Sequence, residues 1–341
     1  MPRTKIVILN WNGEEHLRRF LPSVVQSIEG VAGVSVVVAD NGSTDGSLAL
    51  LGSDFPMVEL VTLDRNYGFA EGYNRALKEV EADYYILLNS DVETPHGWVE
   101  PLIQCLEEHP DVAACAPKLR SVVAPEKFEY AGASGGYIDF LGYPFCRGRV
   151  LRVIEGDHGQ YDDARDLFWV SGAAFCCRAE LFHSLGGFDG DYFAHMEEID
   201  LSWRLQLAGW KIRIVPQSVV YHYGGGTLST DSPRKIFLNH RNNLAMLFKC
   251  GAPWQCLVAL LLRPGLDCLA ALTYLVQGHT AHFTAVFRAW WEVMGWCSAL
   301  REKRRRVRAA VKQESKYIYR GSILWQYLIG KRRANQLRLP R

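Results

Sequence analysis

The sequence predicts an α/β fold: an open, mostly parallel sheet flanked by helices, with a helical region appended at its C-terminal end. Three observations carry this. Short β-branched runs alternate with amphipathic segments through the first 120 residues. The runs are apolar almost throughout, as strands buried on both faces of a parallel sheet are. Clusters of Gly, Ser, Asp and Asn follow the strands, where an open α/β sheet places its ligands.

The strands are expected at residues 5–9, 34–39, 58–63, 84–88 and 112–116. Between the first two, Leu17, Phe20, Leu21, Val24, Val25 and Ile28 recur at helical spacing, with Pro22 as a candidate kink. Residues 121–170 are irregular and rich in Gly, Tyr and Pro, suiting short strands and an acceptor-side loop. Pattern returns with a strand over 168–175, a helix from about Glu197, and strands around 212–215 and 219–222. From Asn243 to Leu300 the chain is dominated by Leu, Ala, Val and Trp, and a basic run follows.

A chain of 341 residues with 48% hydrophobic content has ample apolar material for a core, which excludes disorder as its main character. The net charge of +1 hides an asymmetry. Residues 1–300 hold 24 Lys and Arg against 35 Asp and Glu, a balance of −11, whereas residues 301–341 hold 14 against 2, a balance of +12. The acidic body argues against nucleic acid as a partner. Nine cysteines with no CxxC pair point to reduced, packed thiols and a cytosolic-facing location. The N-terminal apolar run reads as a strand and lacks the form of a secretory signal.

Four polar segments carry the chemistry. Residues 40–47, DNGSTDGS, suit a tight turn opening into a helix capped by Ser43 or Asp45, with Asp40 placed to accept hydrogen bonds from a base or ribose. Residues 65–75 hold Gly68 and Gly72, which permit close backbone approach, and Asn74 and Arg75, expected as donors to an anion. That loop is neither GxGxxG nor a Walker loop, so dinucleotide and P-loop readings lose ground. The fourth strand ends in Asn89-Ser90-Asp91, oxygen donors suited to Mg2+ or Mn2+ carrying a diphosphate. Finally, Glu197, Glu198 and Asp200 open a helix among apolar and aromatic neighbours, where enclosure raises a carboxylate's pKa and makes it a credible general base.

The ordered set VILNWNG, VADNGSTDGS, NYGFAEGYNRAL, LLNSDVE, GGFD and MEEIDLSWRLQLAGW resembles the inverting glycosyltransferase family 2, closest to its bacterial rhamnosyltransferase-like branch. The resemblance spans roughly residues 4–245. It implies a GT-A fold, a nucleotide-diphosphate sugar donor and a divalent metal, Mn2+ or Mg2+. Position by position it implies nucleotide-sugar contacts at Asn10, Trp11, Asn12, Asp40, Asn41, Asn66, Gly68, Asn74, Asn89 and Ser90. Asp40 resembles the base-reading residue, and Asp91 matches the metal-coordinating last position of the DxD motif. Asn89 stands where the family often has the first Asp. Glu197-Glu198 takes the place of the family's Glu-Asp pair, which implies Glu198 as base with Glu197 and Asp200 as its rivals. His222 matches the His that can complete the metal shell. The chain is accordingly expected to divide into a catalytic domain, 1–245, and a helical region with a basic tail, 246–341.

Residues 254–276 have the length of a membrane span, but Arg263, Pro264 and Asp267 interrupt it, and such charges cost about 2.5–3.5 kcal/mol each on insertion. Residues 281–300 carry Trp290, Trp291 and Trp296 ahead of the basic run, a combination suited to an anionic leaflet. The expectation is a monotopic appendage on the inner face of the cell membrane, a packing or homodimer contact being the alternative. A body ending at Asn243 is expected to stay soluble and to bind nucleotide. The function expected is inverting transfer of a sugar to a hydroxyl, on a lipid-linked or cell-surface glycan. Two rivals are a nucleotide-sugar-binding module without turnover, which would need no base, and a processive polysaccharide synthase, which would show several spans and a QxxRW motif.

Overall fold

A computed structural model of the chain describes residues 2–224 and 232–340. The N-terminal part alternates as the hydrophobic pattern dictates: β1 (Thr4–Asn10), α1 (Glu14–Ser27), β2 (Val34–Asp40), α2 (Ser47–Asp54), β3 (Glu59–Thr62), α3 (Gly68–Ala76), β4 (Tyr84–Leu88), β5 (Val92–Glu93), α4 (Glu100–Glu108) and β6 (Val112–Ser121). Pro22 sits inside α1, which runs through it. A hairpin insertion follows as β7 (Gly136–Asp139), β8 (Pro144–Cys146), β9 (Arg149–Val150) and β10 (Val153–Ile154). The chain then re-enters the main sheet with β11 (Arg165–Leu167), β12 (Ala174–Arg178), α5 (Ala179–Ser184), α6 (Glu197–Leu207) and β13 (Lys211–His222).

The main sheet runs β11-β13-β6-β12-β4-β1-β2-β3, with β5 paired to β13. β4, β1, β2 and β3 are mutually parallel, and antiparallel β12 joins them to the parallel β6–β13 pair. Ile6, Val7 and Ile8 of β1 and Val36, Val37 and Val38 of β2 are buried on both faces, which explains their continuous apolar pattern.

Two expectations are corrected. Residues 168–173 are not a strand. Their backbone is held by the insertion instead, Gly136 N donating to Trp169 O at 2.9 Å and Phe168 N to Gly136 O at 3.1 Å, and Ser171-Gly172 turns the chain before β12. The two strands expected at 212–215 and 219–222 are one, β13, with an irregularity between Val215 and Val219 where Pro216 has no N–H to give the ladder.

The helical region comprises α7 (Pro233–Cys250), α8 (Pro253–Val276), α9 (Thr280–Gly295), α10 (Cys297–Ala309), β14 (Ile318–Tyr319) and α11 (Ile323–Leu328). α8 continues through Pro264, and Arg263 and Asp267 face the body, not solvent. The region is stitched to the body at several points. β14 pairs with β7, completing a small sheet ordered β10-β9-β8-β7-β14. Lys249 Nζ lies 2.5 Å from Asp189 and 2.7 Å from Asp200, both otherwise buried carboxylates. The expected division after residue 245 therefore falls within α7. A chain ending at Asn243 would lack Lys249, the cation that the two carboxylates share. The cysteines are free among the described residues, six of them buried.

Candidate active site

The ends of three parallel strands stand level, because Asn10 is in register with Asp40 and Ile8 with Leu88. β1 lies between β2 and β4, so the sheet changes direction there, and an open α/β sheet binds its ligands at such a point. Asp40 is buried, its Oδ1 accepting from Ser43 N at 2.9 Å and its Oδ2 from Asn10 Nδ2 at 3.1 Å. Asn10 Oδ1 is a buried acceptor without a protein partner. Asn12, at φ 49°, accepts from Thr44 N at 2.7 Å, and Trp11 beside it is exposed. Ser43 receives Asn12 N at 2.9 Å, and so caps no helix. Asp45 accepts from Ser47 N at 3.1 Å in α2 and from Glu14 N at 3.0 Å in α1, serving two helix starts at once.

The next loop is folded back on this one. A Cβ on Gly42, at φ +73°, would lie 2.4 Å from Arg65 Cα, so only glycine fits. Asn41 clamps the loop, Nδ2 donating to Gly68 O at 3.0 Å and to Asn66 Oδ1 at 3.2 Å while Oδ1 accepts from Tyr67 N at 3.0 Å. Asn66 Oδ1 also accepts from Gly68 N at 2.7 Å. The donors expected for an anion are engaged inside the protein. Asn74 bonds both ends of the Phe188 peptide environment, Nδ2 to O at 2.8 Å and Oδ1 from N at 2.9 Å. Arg75 pairs with Glu71 at 2.8 Å and lies over the Tyr67 ring.

At the end of β4, Asp91 meets His222 from β13, Oδ1 to Nε2 at 3.0 Å. The meeting follows from β5, whose Val92 pairs with His222 and draws the strand end across. Asp91 Oδ2 accepts from Gly224 N at 3.2 Å, and Asn89 Nδ2 lies 3.4 Å from His222 Nε2. Ser90, half-buried, lies between them in sequence. Glu129, which the sequence reading missed, comes within 3.4 Å of His222 Nδ1 from the other side. Burial opposes charge on His222, but the two carboxylates outweigh it and raise its pKa to about 10. Burial likewise opposes charge on Asp91, and the His222 hydrogen bond more than offsets it, leaving the carboxyl below its ordinary value.

Among the described residues no group of three or more His, Cys, Asp or Glu side chains forms a metal cage. A carboxylate oxygen and an imidazole nitrogen converging on one spot are nevertheless a sound partial shell, because Mg2+ and Mn2+ at diphosphate sites take their remaining ligands from phosphate and water. Asp91 and His222 fit that role, and Glu129 is placed to orient the imidazole as carboxylates commonly do behind metal-bound histidines.

The carboxylates stand at the N-terminus of α6, preceded by a tight turn in which Phe193, His195 and Met196 have φ of 65°, 72° and 72°. Such conformations cost non-glycine residues of order 1–3 kcal/mol each and persist only when held. Asn242, fully buried on α7, holds this one: its Nδ2 lies 3.0, 2.8 and 2.8 Å from the carbonyl oxygens of Tyr192, Ala194 and His195. Arg241 adds bonds to Asp191 O at 3.1 Å and Tyr192 O at 3.0 Å. Neither residue carries a sequence signal, since an Asn inside an amphipathic helix looks like surface. Burial of His195 lowers its pKa to about 4, so the turn carries a neutral imidazole.

The three acidic residues then separate in role. Asp200 is buried and fully engaged, by Arg204 Nε at 2.7 Å, Lys249 at 2.7 Å and Tyr192 Oη at 3.2 Å. It anchors α6. Glu197 is buried with Oε2 unpartnered, and burial together with the neighbouring Glu198 charge pushes its pKa well up. Glu198 also has Oε2 unpartnered, and burial raises its pKa to about 7. Its side chain lies against Gly172. That glycine is two residues before Ala174, which pairs with Leu88, so Glu198 borders the strand end that carries Asn89 and Asp91.

Residues 5–149 match the sequence profile of glycosyl transferase family 2. The chain is 28% identical over 267 residues to the N-acetylglucosaminyl-diphospho-decaprenol L-rhamnosyltransferase of Mycobacterium tuberculosis, covering 73% of this chain and 85% of the relative. Among solved structures it superposes on GalNAc-T7 with UDP, GalNAc and Mn2+ at TM-score 0.57 and 17% identity, over 73% of this chain and 48% of that one. It also superposes on a mannosyltransferase of Pyrobaculum calidifontis in complex with GDP-Man and Mn2+, at TM-score 0.51 and 14% identity, over 86% of this chain and 87% of that one. At those identities the likeness shows the fold.

Proposed function

The chain carries a glycosyl transferase family 2 domain on a GT-A fold, and from that premise we propose an inverting transfer of a sugar from a nucleotide-diphosphate donor to a hydroxyl of a lipid-linked glycan. One observation carries the mechanism: Glu198, whose Oε2 is unpartnered and whose pKa lies near neutrality, borders the level strand ends that hold Asp40, Asn89 and Asp91. A base poised near the working pH is suited to taking a proton from an attacking hydroxyl. Glu198 Oε2 accepts that proton as the acceptor oxygen attacks the anomeric carbon from the face opposite the diphosphate. The configuration inverts in one displacement.

Asp91 and His222 would hold a divalent cation, Mn2+ or Mg2+, which would supply positive charge for the leaving diphosphate. Asn10 Oδ1, Asp40 and Trp11 are the proposed nucleoside-facing groups, and Asn12, Asn41, Asn66 and Gly68 shape the loops around them. Asn89 and Ser90 would reach the donor from the end of β4. Asn74 and Asp200 hold the loop before α6 and α6 itself. We extend the same reading to residues 1–245 as the transferase domain and 246–341 as a membrane-associated helical region on the cytoplasmic face.

The mycobacterial relative, a rhamnosyltransferase on N-acetylglucosaminyl-diphospho-decaprenol, supports a rhamnosyl donor and a polyprenyl-diphosphate acceptor. Thermal-shift screening of uridine-, guanosine- and thymidine-diphosphate sugars with Mn2+ tests the donor, since a ligand at 100 times its Kd stabilises by about 2.7 kcal/mol. Nucleoside diphosphate release that depends on an added acceptor separates an enzyme from a binding module. Stabilisation without release would overturn the transferase reading.

A further inference from the structure

Helix α8 is built inside out. Its inward positions, Gln255, Ala259, Arg263, Asp267 and Ala271, repeat every four residues and include both of the helix's charged side chains. Arg263 donates to Leu141 O at 2.9 Å and to Asn243 Oδ1 at 2.7 Å. Asp267 accepts from Tyr143 Oη at 3.1 Å and from Trp290 Nε1 at 2.9 Å. The outward face is apolar: Trp254, Leu257, Leu261, Leu269, Leu272 and Val276 are exposed, Leu261 at 71% and Val276 at 88%. An exposed face of this extent marks an interaction surface.

Two further elements extend it. α9, which packs on α8, exposes Phe287, Trp291 and Met294 at helical spacing, Trp291 at 76%. α11 exposes Trp325 and Leu328 with Ile329 just beyond, and it starts where Ile323 N donates to Asp139 Oδ2 at 3.0 Å. Asp139 opens the β7–β8 turn, whose Leu141 and Tyr143 hold Arg263 and Asp267. All three apolar faces are therefore mounted around one turn.

By length and composition α8 could cross a bilayer. Crossing would pull Arg263 and Asp267 from buried partners into hydrocarbon, which opposes a span and favours a helix lying in the interface. The surroundings choose the occupant. Exposed Arg288 lies on α9, exposed Arg301 and Arg305 follow on α10, and exposed Lys331, Arg332 and Arg333 follow Ile329 after one intervening residue. Basic clusters that continue from apolar faces complement anionic headgroups, and would repel one another across a two-fold contact between copies. We propose that α8, α9 and α11 form the face by which the protein lies on an anionic bilayer, α8 in the membrane plane with its leucines in the acyl boundary. The inference deepens the reading of a lipid-linked acceptor, and it is measured separately from turnover.

Co-flotation of the full chain with vesicles of equal parts phosphatidylglycerol and phosphatidylcholine, against phosphatidylcholine alone, tests it. Wild type should float with the anionic vesicles. Raising salt to 1 M, where the Debye length falls from about 10 Å to about 3 Å, should weaken binding without abolishing it. Leu261→Glu combined with Trp291→Glu should lower the partition coefficient by at least about tenfold, the scale of burying one large apolar side chain. The variant should keep the wild-type circular dichroism and its acceptor-dependent nucleoside diphosphate release on a water-soluble acceptor. Equal flotation of variant and wild type, or none by wild type, overturns the proposal. So does a wild-type dimer that the variant converts to monomer without any flotation, because the face then covers a second copy. A protein that floats and turns over no donor would defeat the transferase reading alone.

Discussion

Replacing Glu198 by Gln should produce a protein that is much less active than the parent and more stable at alkaline pH. Burial raises the carboxyl's pKa from 4.5 to about 7, outweighing the backbone N–H groups of Glu198 and Ile199 that lower it, and Oε2 has no partner. A folded pKa above the unfolded one means that the folded state holds the proton more tightly. Stability therefore falls as pH rises from about 4.5 through 7. At about 1.36 kcal/mol per unit, the ionised carboxylate costs the fold on the order of 3 kcal/mol at pH 8 and little at pH 4. The Gln variant removes that cost. Its denaturation midpoint should exceed the parent's at pH 8 and match it near pH 4. Its turnover should fall by about 10²–10⁴-fold, the usual contribution of a general base, with donor affinity nearly unchanged. Wild-type kcat/KM should rise with pH through about 7, and the residual activity of the variant should not. Denaturant titration at the two pH values, with nucleoside diphosphate release as the rate assay, reads both effects. Turnover within a few-fold of the parent, or a large loss in Glu197→Gln with none in Glu198→Gln, would refute the assignment.

Asp91→Asn should abolish Mn2+-dependent enhancement of nucleoside diphosphate binding while leaving the circular dichroism spectrum intact, as calorimetry with and without the metal will show. Glu129→Gln should weaken Mn2+ binding by roughly 10–100-fold, the scale seen when a group behind a metal ligand is lost, and titration by electron paramagnetic resonance checks it. Asn242→Leu leaves the Ala194 and His195 carbonyls of the tight turn without their donor, while Tyr192 O keeps Arg241. It should lower kcat more than donor affinity and cost about 1–3 kcal/mol in denaturant unfolding. Lys249→Met strips Asp189 and Asp200 of a shared buried cation but leaves them Lys303 and Arg204, and a loss of roughly 1.5–3 kcal/mol is expected in denaturant unfolding.

The strand–helix alternation was legible because each element's hydrophobic period matches its burial, and Asp91 with His222 could be paired from their motifs. What sequence could not supply were contacts between distant segments. Asn74 looked like a donor to an anion, yet it closes on the Phe188 backbone, 114 positions away. Asp200 sat one helical turn from the base candidates, and only the fold shows its oxygens taken by Arg204, Lys249 and Tyr192. Glu129 and Asn242 lie in stretches whose local composition says nothing of chemistry. Arg263 and Asp267 read as interruptions of a span because charge in an apolar run costs energy in lipid. Their partners, Leu141, Asn243, Tyr143 and Trp290, show that they face protein.

The central claim, a single displacement with Glu198 as base, is tested most directly by the anomeric configuration of the first product. The donor selected by thermal shift should be turned over with Mn2+ and acceptor while the anomeric proton is followed by NMR. Opposite configuration in donor and initial product is the expected result. Retention would contradict it, because it requires a second displacement or a same-face attack that a lone proton-accepting Glu198 does not provide.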